Sequence, residues 1–182
     1  MCGMIGVYKR KLRRAISVLG FLLVYLLSVP VSYANIDRVI KYRILFQAAG
    51  NQYGLDWRLL AAQAKQESGG NPSARSNRDA QGLMQILPKT ARGISKELGQ
   101  EHYNLYNVWD SIRFGTYYDY KQHIYTRPWS KDRVDNLRLM LCAYNAGPHR
   151  IKKYGDCPPF RETQNYWRVI FKTWEQYKLR YS

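Results

Sequence analysis

Asp56-Trp57-Arg58-Leu59-Leu60-Ala61-Ala62-Gln63-Ala64-Lys65-Gln66-Glu67-Ser68-Gly69-Gly70-Asn71-Pro72 reads as one helix with its start and its stop written into the chain. Asp56 is a good N-cap, because a short carboxylate accepts from the unpaired N–H groups of the first turn. Trp57 to about Glu67 is rich in Leu and Ala, which favour helix. The run Gly69-Gly70-Asn71-Pro72 stops it. Leu60, Gln63, Ala64 and Glu67 recur at i, i+3, i+4 and i+7, so Glu67 shares a face with core-directed residues. Partial burial there favours the neutral acid, and so does the negative end of the helix dipole. Such a carboxyl suits general-acid chemistry. The plain alternative is a solvated Glu near a helix end, where charged side chains usually lie.

Outward from this helix the pattern stays helical. Ile36, Ile40, Ile44 and Ala48, with Val39 beside them, predict an apolar face on a first helix, which Gly50 and Gly54 bracket. Residues 71–82 form a polar loop, and the 71–87 region leaves room for a small β-hairpin near Glu67. Pro88 suits the first position of a helix that Gly99 would end. Asn107 caps a predicted helix from about Val108 to Tyr125. Pro128 separates it from another, about Lys131 to Tyr144, and Gly147-Pro148 breaks the chain again. After Pro158-Pro159 a last helix covers about Arg161 to Tyr181. No stretch alternates with period two. The fold class is mainly α, a compact bundle of short helices.

Residues 1–34 carry the marks of an export leader. Lys9, Arg10, Lys11, Arg13 and Arg14 precede an apolar stretch from Ile16 to Val29, and Ser32-Tyr33-Ala34 is a small-x-small cleavage site. The apolar run is short for a membrane span, which needs about 20 residues. An uncleaved anchor, with membrane association through residues 15–34, is the alternative reading. The leader carries five basic and no acidic residues, so the net charge of +16 becomes +11 without it. A basic chain suits an anionic partner. Outside the leader there is no dense basic tract, which argues against nucleic acid. Cys142 and Cys157 form an even pair in a chain read as exported; a disulfide closing a short loop and two free buried thiols are both open.

Four elements occur in order. Gln66-Glu67-Ser68 is followed by Asn71-Pro72 and Ser76. Then come Gly82-Leu83-Met84-Gln85-Ile86-Leu87-Pro88-Lys89-Thr90-Ala91, next Ala143-Tyr144-Asn145-Ala146-Gly147-Pro148, and last Pro159-Phe160-Arg161-Glu162-Thr163 with Tyr166. Together they resemble the Slt-type lytic transglycosylases, and Asp56 to Gln63 is similar to the catalytic domain of membrane-bound lytic transglycosylase F. The resemblance covers roughly residues 37–170. It implies a lysozyme-like fold for residues 35–182 and peptidoglycan glycan strands as the partner, with neither metal nor cofactor; an envelope-machinery partner is left open.

Position by position, the resemblance makes Glu67 the single catalytic acid and base. It places Ser76 and Gln85 as polar groups near the acetamido sugar, and Met84 and Leu87 as apolar cleft positions. It brings the hydroxyl of Tyr144 near the catalytic carboxylate, with Asn145 in the same turn, and makes Glu162 a second, distal acid. The implied reaction cleaves the bond between N-acetylmuramic acid and N-acetylglucosamine without water and leaves 1,6-anhydromuramic acid ends. It implies export to the periplasm. The chain departs from the family pattern at Asp79, where a Gly is usual, and at Ser111, where an Asn is usual. An Asp79 near the cleft would offer a second reading, a hydrolytic muramidase. A third is a peptidoglycan-binding protein without activity.

Overall fold

A computed structural model describes residues 37–182. The predicted leader, its cleavage site and the membrane-associated stretch at 15–34 lie outside the described residues, as does Ile36.

The Asp56 stretch forms α2 (Trp57–Ser68), and its ends are those the sequence writes. The Asp56 carboxylate accepts from the backbone N–H of Arg58, and Gly69 closes the helix in the left-handed conformation. The run from Leu59 to Ala64 is buried. Helix α2 packs between α1 (Arg43–Tyr53) and α7 (Arg161–Arg180). Helix α1 also packs on α4 (Val108–Thr126), which packs most extensively on α5 (Arg133–Ala146). Helix α5 also meets α7, so α7 and α4 are joined through it. Helix α3 (Pro88–Leu98) rests on α4.

The caps explain these boundaries. Asn107 accepts from the N–H groups of Trp109 and Asp110 at the start of α4. Pro88 opens α3 and Gly99 closes it. Asp132 accepts from Asp135 and sets the start of α5. Where the sequence reading had only a break at Gly147-Pro148, the structure has a short helix, α6 (Pro148–Tyr154). A proline that cannot extend one helix is well suited to start the next, because the first turn lacks N–H partners anyway.

The predicted apolar stripe on the first helix needs correction. Ile44 is 72% exposed and Ala48 is also exposed, while Val39, Phe46, Ala49 and Gly50 face the core. Residues Ile40–Tyr42 form a 3-10 turn, with three residues per turn rather than 3.6, so the phase shifts before α1 begins.

Residues 71–87 hold no strand. They contain two isolated antiparallel bridges, Arg75 with Gln81 and Gln81 with Ile86. Among the described residues no helix is long and apolar enough to cross a membrane. Cys142 on α5 and Cys157 before α7 are joined in a disulfide with Cα atoms 5.5 Å apart. Leu139, Ala143 and Ile151 surround it in a small second core.

Candidate active site

Three segments meet around the carboxyl of Glu67: the loop from Ser76 to Leu87, the end of α5 and the first turn of α7. They enclose a cleft of about 610 Å³. Of the residues singled out from the sequence, Glu67, Ser76, Gln85, Leu87, Tyr144, Asn145 and Glu162 line it, and Tyr118 on α4 joins them.

The loop is held by its own backbone and by close packing. Ser76 Oγ accepts from the N–H groups of Ala80 and Arg78. Gln85 takes a positive φ of 49°, and its Nε2 donates to the carbonyls of Ala74 and Gly82 at 3.1 and 2.9 Å. Gly82 has a positive φ, and a Cβ there would lie 1.8 Å from the Leu105 carbonyl oxygen, so only glycine fits. Ser111, the departure from the family's Asn, is buried, and its Oγ accepts from the N–H of Met84. The serine therefore anchors the loop to α4.

Met84 does not line the cleft. Its side chain is fully buried and presses on Gly115, where a Cβ would come within 2.8 Å of it. The apolar cleft position expected for Met84 is instead a core position. Leu87, three residues on and 44% exposed, does line the cleft. Met84 is held on the core side by its N–H bond to Ser111 Oγ and by the space above Gly115 that its side chain fills.

Glu67 lies in the last turn of α2 and is only partly exposed. The phenol of Tyr166, on α7, donates to its Oε1 at 2.5 Å. Burial pushes the Glu67 carboxyl up to about 7; the Tyr166 bond acts against this, and the negative charge of Glu162 adds to it. Among the described residues no Lys or Arg forms an ion pair with Glu67. A carboxyl that titrates near neutrality can both give and retake a proton at that pH.

The hydroxyl of Tyr144 does not bond this carboxylate. It donates to the Met84 carbonyl at 2.8 Å, and its ring meets Tyr118 edge-on with centroids 5.1 Å apart. Burial, and then the charge of Glu67, holds its phenol well above the ordinary tyrosine range, so it stays a donor. The carboxylate's partner is Tyr166, 99 residues away along the chain. No local spacing could have assigned that role. Asn145 accepts from the Thr163 hydroxyl at 2.7 Å, which ties the end of α5 to the first turn of α7.

Asp79 lies outside the cleft lining. It adopts φ 64° and pairs with Arg75 at 2.6 Å, while Gln81 Nε2 donates to it at 3.1 Å. Asp tolerates this left-handed conformation better than most residues, so it takes the glycine's place in the turn.

Residues 44–167 match the Transglycosylase SLT domain family. The chain is 32% identical over 134 residues to the membrane-bound lytic murein transglycosylase F of Ectopseudomonas mendocina, covering 72% of this chain and 25% of that one. It is 38% identical over 114 residues to the protein of the same name from Maricaulis maris, covering 61% and 23%. Among solved structures it resembles an inactive mutant of the lytic transglycosylase Slt from Pseudomonas aeruginosa, with a TM-score of 0.68, 26% identity, and 78% of this chain covering 24% of that one. It also resembles the 70 kDa soluble lytic transglycosylase of Escherichia coli, with a TM-score of 0.66, 26% identity, and coverage of 76% and 24%. The chain thus spans about a quarter of the length of these relatives. With most of its length inside the family's domain and its helices laid out as in these solved relatives, the chain belongs to the transglycosylase SLT domain family.

Proposed function

We propose that this protein is a peptidoglycan lytic transglycosylase with Glu67 as its acid and base. The observation that supports this most directly is the Glu67 carboxyl itself: raised to about 7 by burial, held by one phenol and set in an open cleft. Protonated Glu67 gives its proton to the glycosidic oxygen between N-acetylmuramic acid and N-acetylglucosamine. That bond breaks, and the substrate's acetamido group stabilises the positive anomeric centre. The Glu67 carboxylate then takes the proton of the sugar's C6 hydroxyl, which closes on the anomeric carbon. No water is consumed, and the intramolecular hydroxyl has a high effective molarity. Tyr166 holds the carboxyl in place through both steps. Gln85, Ser76 and Asn145 are among the polar residues of the lining available to the sugar, and Leu87 offers its apolar surface. The net charge of the basic chain favours a polymer that bears lactyl and peptide carboxylates.

Export to the periplasm is part of the same proposal. It rests on the leader pattern at residues 1–34 and on the Cys142–Cys157 disulfide, which is characteristic of oxidising compartments.

The test is digestion of purified sacculi by the full chain and by a Glu67→Gln variant, with the released muropeptides weighed by mass spectrometry. Anhydro ends that vanish with the variant support the proposal. Reducing ends, one water heavier, overturn it in favour of a hydrolase; Asp79 is paired with Arg75 outside the cleft, so Glu162 is then the carboxylate to change next. Sacculus binding without release by the unaltered protein overturns it in favour of a binding protein.

A further inference from the structure

Behind the cleft lies a second buried carboxyl for which the proposed reaction has no use. Asp119, on α4, is fully buried. Its Oδ1 accepts from Nε2 of Gln63 at 3.2 Å. Gln63 is itself fully buried and stands one turn before Glu67 on the same face of α2. This bond links the helix of the catalytic carboxyl directly to α4, next to Tyr118 of the cleft wall.

The pair is incomplete as heavy atoms alone. Oδ2 of Asp119 and Oε1 of Gln63 are both buried and, among the described residues, have no hydrogen-bond partner. Both are acceptors if the carboxyl is ionised, and two orphaned acceptors in a closed interior are costly. Among the described residues no Lys, Arg or His forms an ion pair with Asp119. The titratable groups that face it are Glu67 from α2, Tyr118 beside it on α4, Tyr144 from α5 and Tyr166 from α7. None of these is a cation.

We propose that Asp119 carries a proton on Oδ2 and forms a two-bond carboxylic acid–amide pair with Gln63, so that it acts as a neutral positioning residue for Glu67. One proton satisfies both orphaned atoms: Oδ2–H donates to Oε1, while Nε2–H donates to Oδ1. Burial is the main influence on this carboxyl and raises it well above its ordinary range; the Gln63 bond opposes that, and the charge of Glu67 adds to it. The two carboxyls therefore divide their roles. Asp119 stays neutral, so the only charge that forms and disappears on this side of the cleft is that of Glu67. An ionised Asp119 would lift Glu67 further and make it a weaker acid toward the glycosidic oxygen. The pair also fixes the last two turns of α2 against α4, and with them the direction of the Glu67 side chain.

The catalytic part of this inference rests on the proposed function; the protonation state does not. The first measurement is the infrared spectrum of the full chain carrying Glu67→Gln, at neutral pH, against the double variant that also carries Asp119→Asn. A protonated-carboxyl band present in the first and absent from the second supports the inference. A Glu67→Gln protein without such a band overturns it, whether or not sacculi are cleaved. The second measurement compares pH–rate profiles. Asp119→Asn keeps both hydrogen bonds with a neutral amide, so turnover and the basic limb stay where they are. Asp119→Leu leaves the Gln63 amide unpaired, and turnover falls by roughly tenfold or more through misplacement of Glu67. A basic limb that moves to lower pH in Asp119→Asn means that a negative charge was removed beside Glu67, and the inference fails. If Asp119→Asn does not fold, the band in the Glu67→Gln protein decides alone.

Discussion

The two ends of α2 treat carboxyl groups in opposite ways. At the N-terminal end Asp56 receives the backbone N–H and the guanidinium of Arg58 and the indole N–H of Trp174. Burial alone would raise it, but these donors outweigh burial and hold it below its ordinary range. Asp37, reached by Lys65 and Tyr177, is lowered in the same manner. Eleven residues after Asp56, Glu67 has, among the described residues, one phenol and no cation, and there burial wins. Both ends contact α7, through Trp174 and through Tyr166. What separates the lowered carboxylate of Asp56 from the raised carboxyl of Glu67 is therefore the supply of donors, a cation among them, and not depth alone. The helix dipole works the same way at each end, favouring the charge at Asp56 and opposing it at Glu67.

The sharpest test of this contrast is Glu67→Gln. Activity on sacculi should fall by about 10²–10⁴-fold, the usual worth of a general acid. Stability should rise at the same time. The folded-state carboxyl is raised from 4.5 to about 7, so the folded protein loses stability as pH climbs through that window. At one pKa unit per about 1.4 kcal/mol, the gain above pH 7 has a ceiling of about 3 kcal/mol and vanishes near pH 4. Denaturant unfolding of both proteins at the two pH values measures it, and an equal midpoint at high pH would break the contrast.

At the other end, Asp56→Ala should destabilise the fold by about 2 kcal/mol, since it removes a cap and leaves the Trp174 donor without its acceptor. Its pH dependence has the opposite sign. The carboxyl is lowered, so its contribution is present above its unfolded value of 3.8 and is lost as pH falls through the folded value. The basic limb of activity should not move, because Asp56 is not among the residues that line the cleft and stands at the opposite end of α2 from Glu67.

Two smaller effects sharpen the comparison at Glu67. Tyr166→Phe removes the bond that favours the carboxylate, so the basic limb of kcat/KM should move to higher pH. Turnover should fall on the order of tenfold, because the carboxyl loses the hydrogen bond that holds it. Glu162→Gln removes a negative charge that raises Glu67, so the limb should move slightly the other way. Limbs that shift in the same direction in both variants would rule out the proposed balance.

Much of the frame was legible in the sequence because it is local. Asp56, Pro88, Gly99 and Asn107 start or stop helices through their own side chains or backbone freedom, and the structure has them in those places. Asp119 was missed in the sequence, although a signal for it was there. Ile112, Thr116 and Asp119 follow the buried phase of α4, so a carboxylate stands where apolar residues belong. The phase of α1 was not legible, since the 3-10 turn before it breaks the count of 3.6.

The sequence by itself determined the mainly helical class, the position of Glu67 at the end of a core-facing helix, and the order of the segments that approach it. Those follow from spacing and capping, which act over a few residues. Only the tertiary structure decided that Tyr166 rather than Tyr144 bonds the Glu67 carboxyl, that Met84 turns into the core while Leu87 faces the cleft, and that Gln63 and Asp119 meet behind it. These pairs lie 99, 60 and 56 residues apart for Glu67–Tyr166, Met84–Tyr144 and Gln63–Asp119. Which of two chemically similar partners arrives is set by how helices cross, and the local sequence around Glu67 carries no record of that crossing.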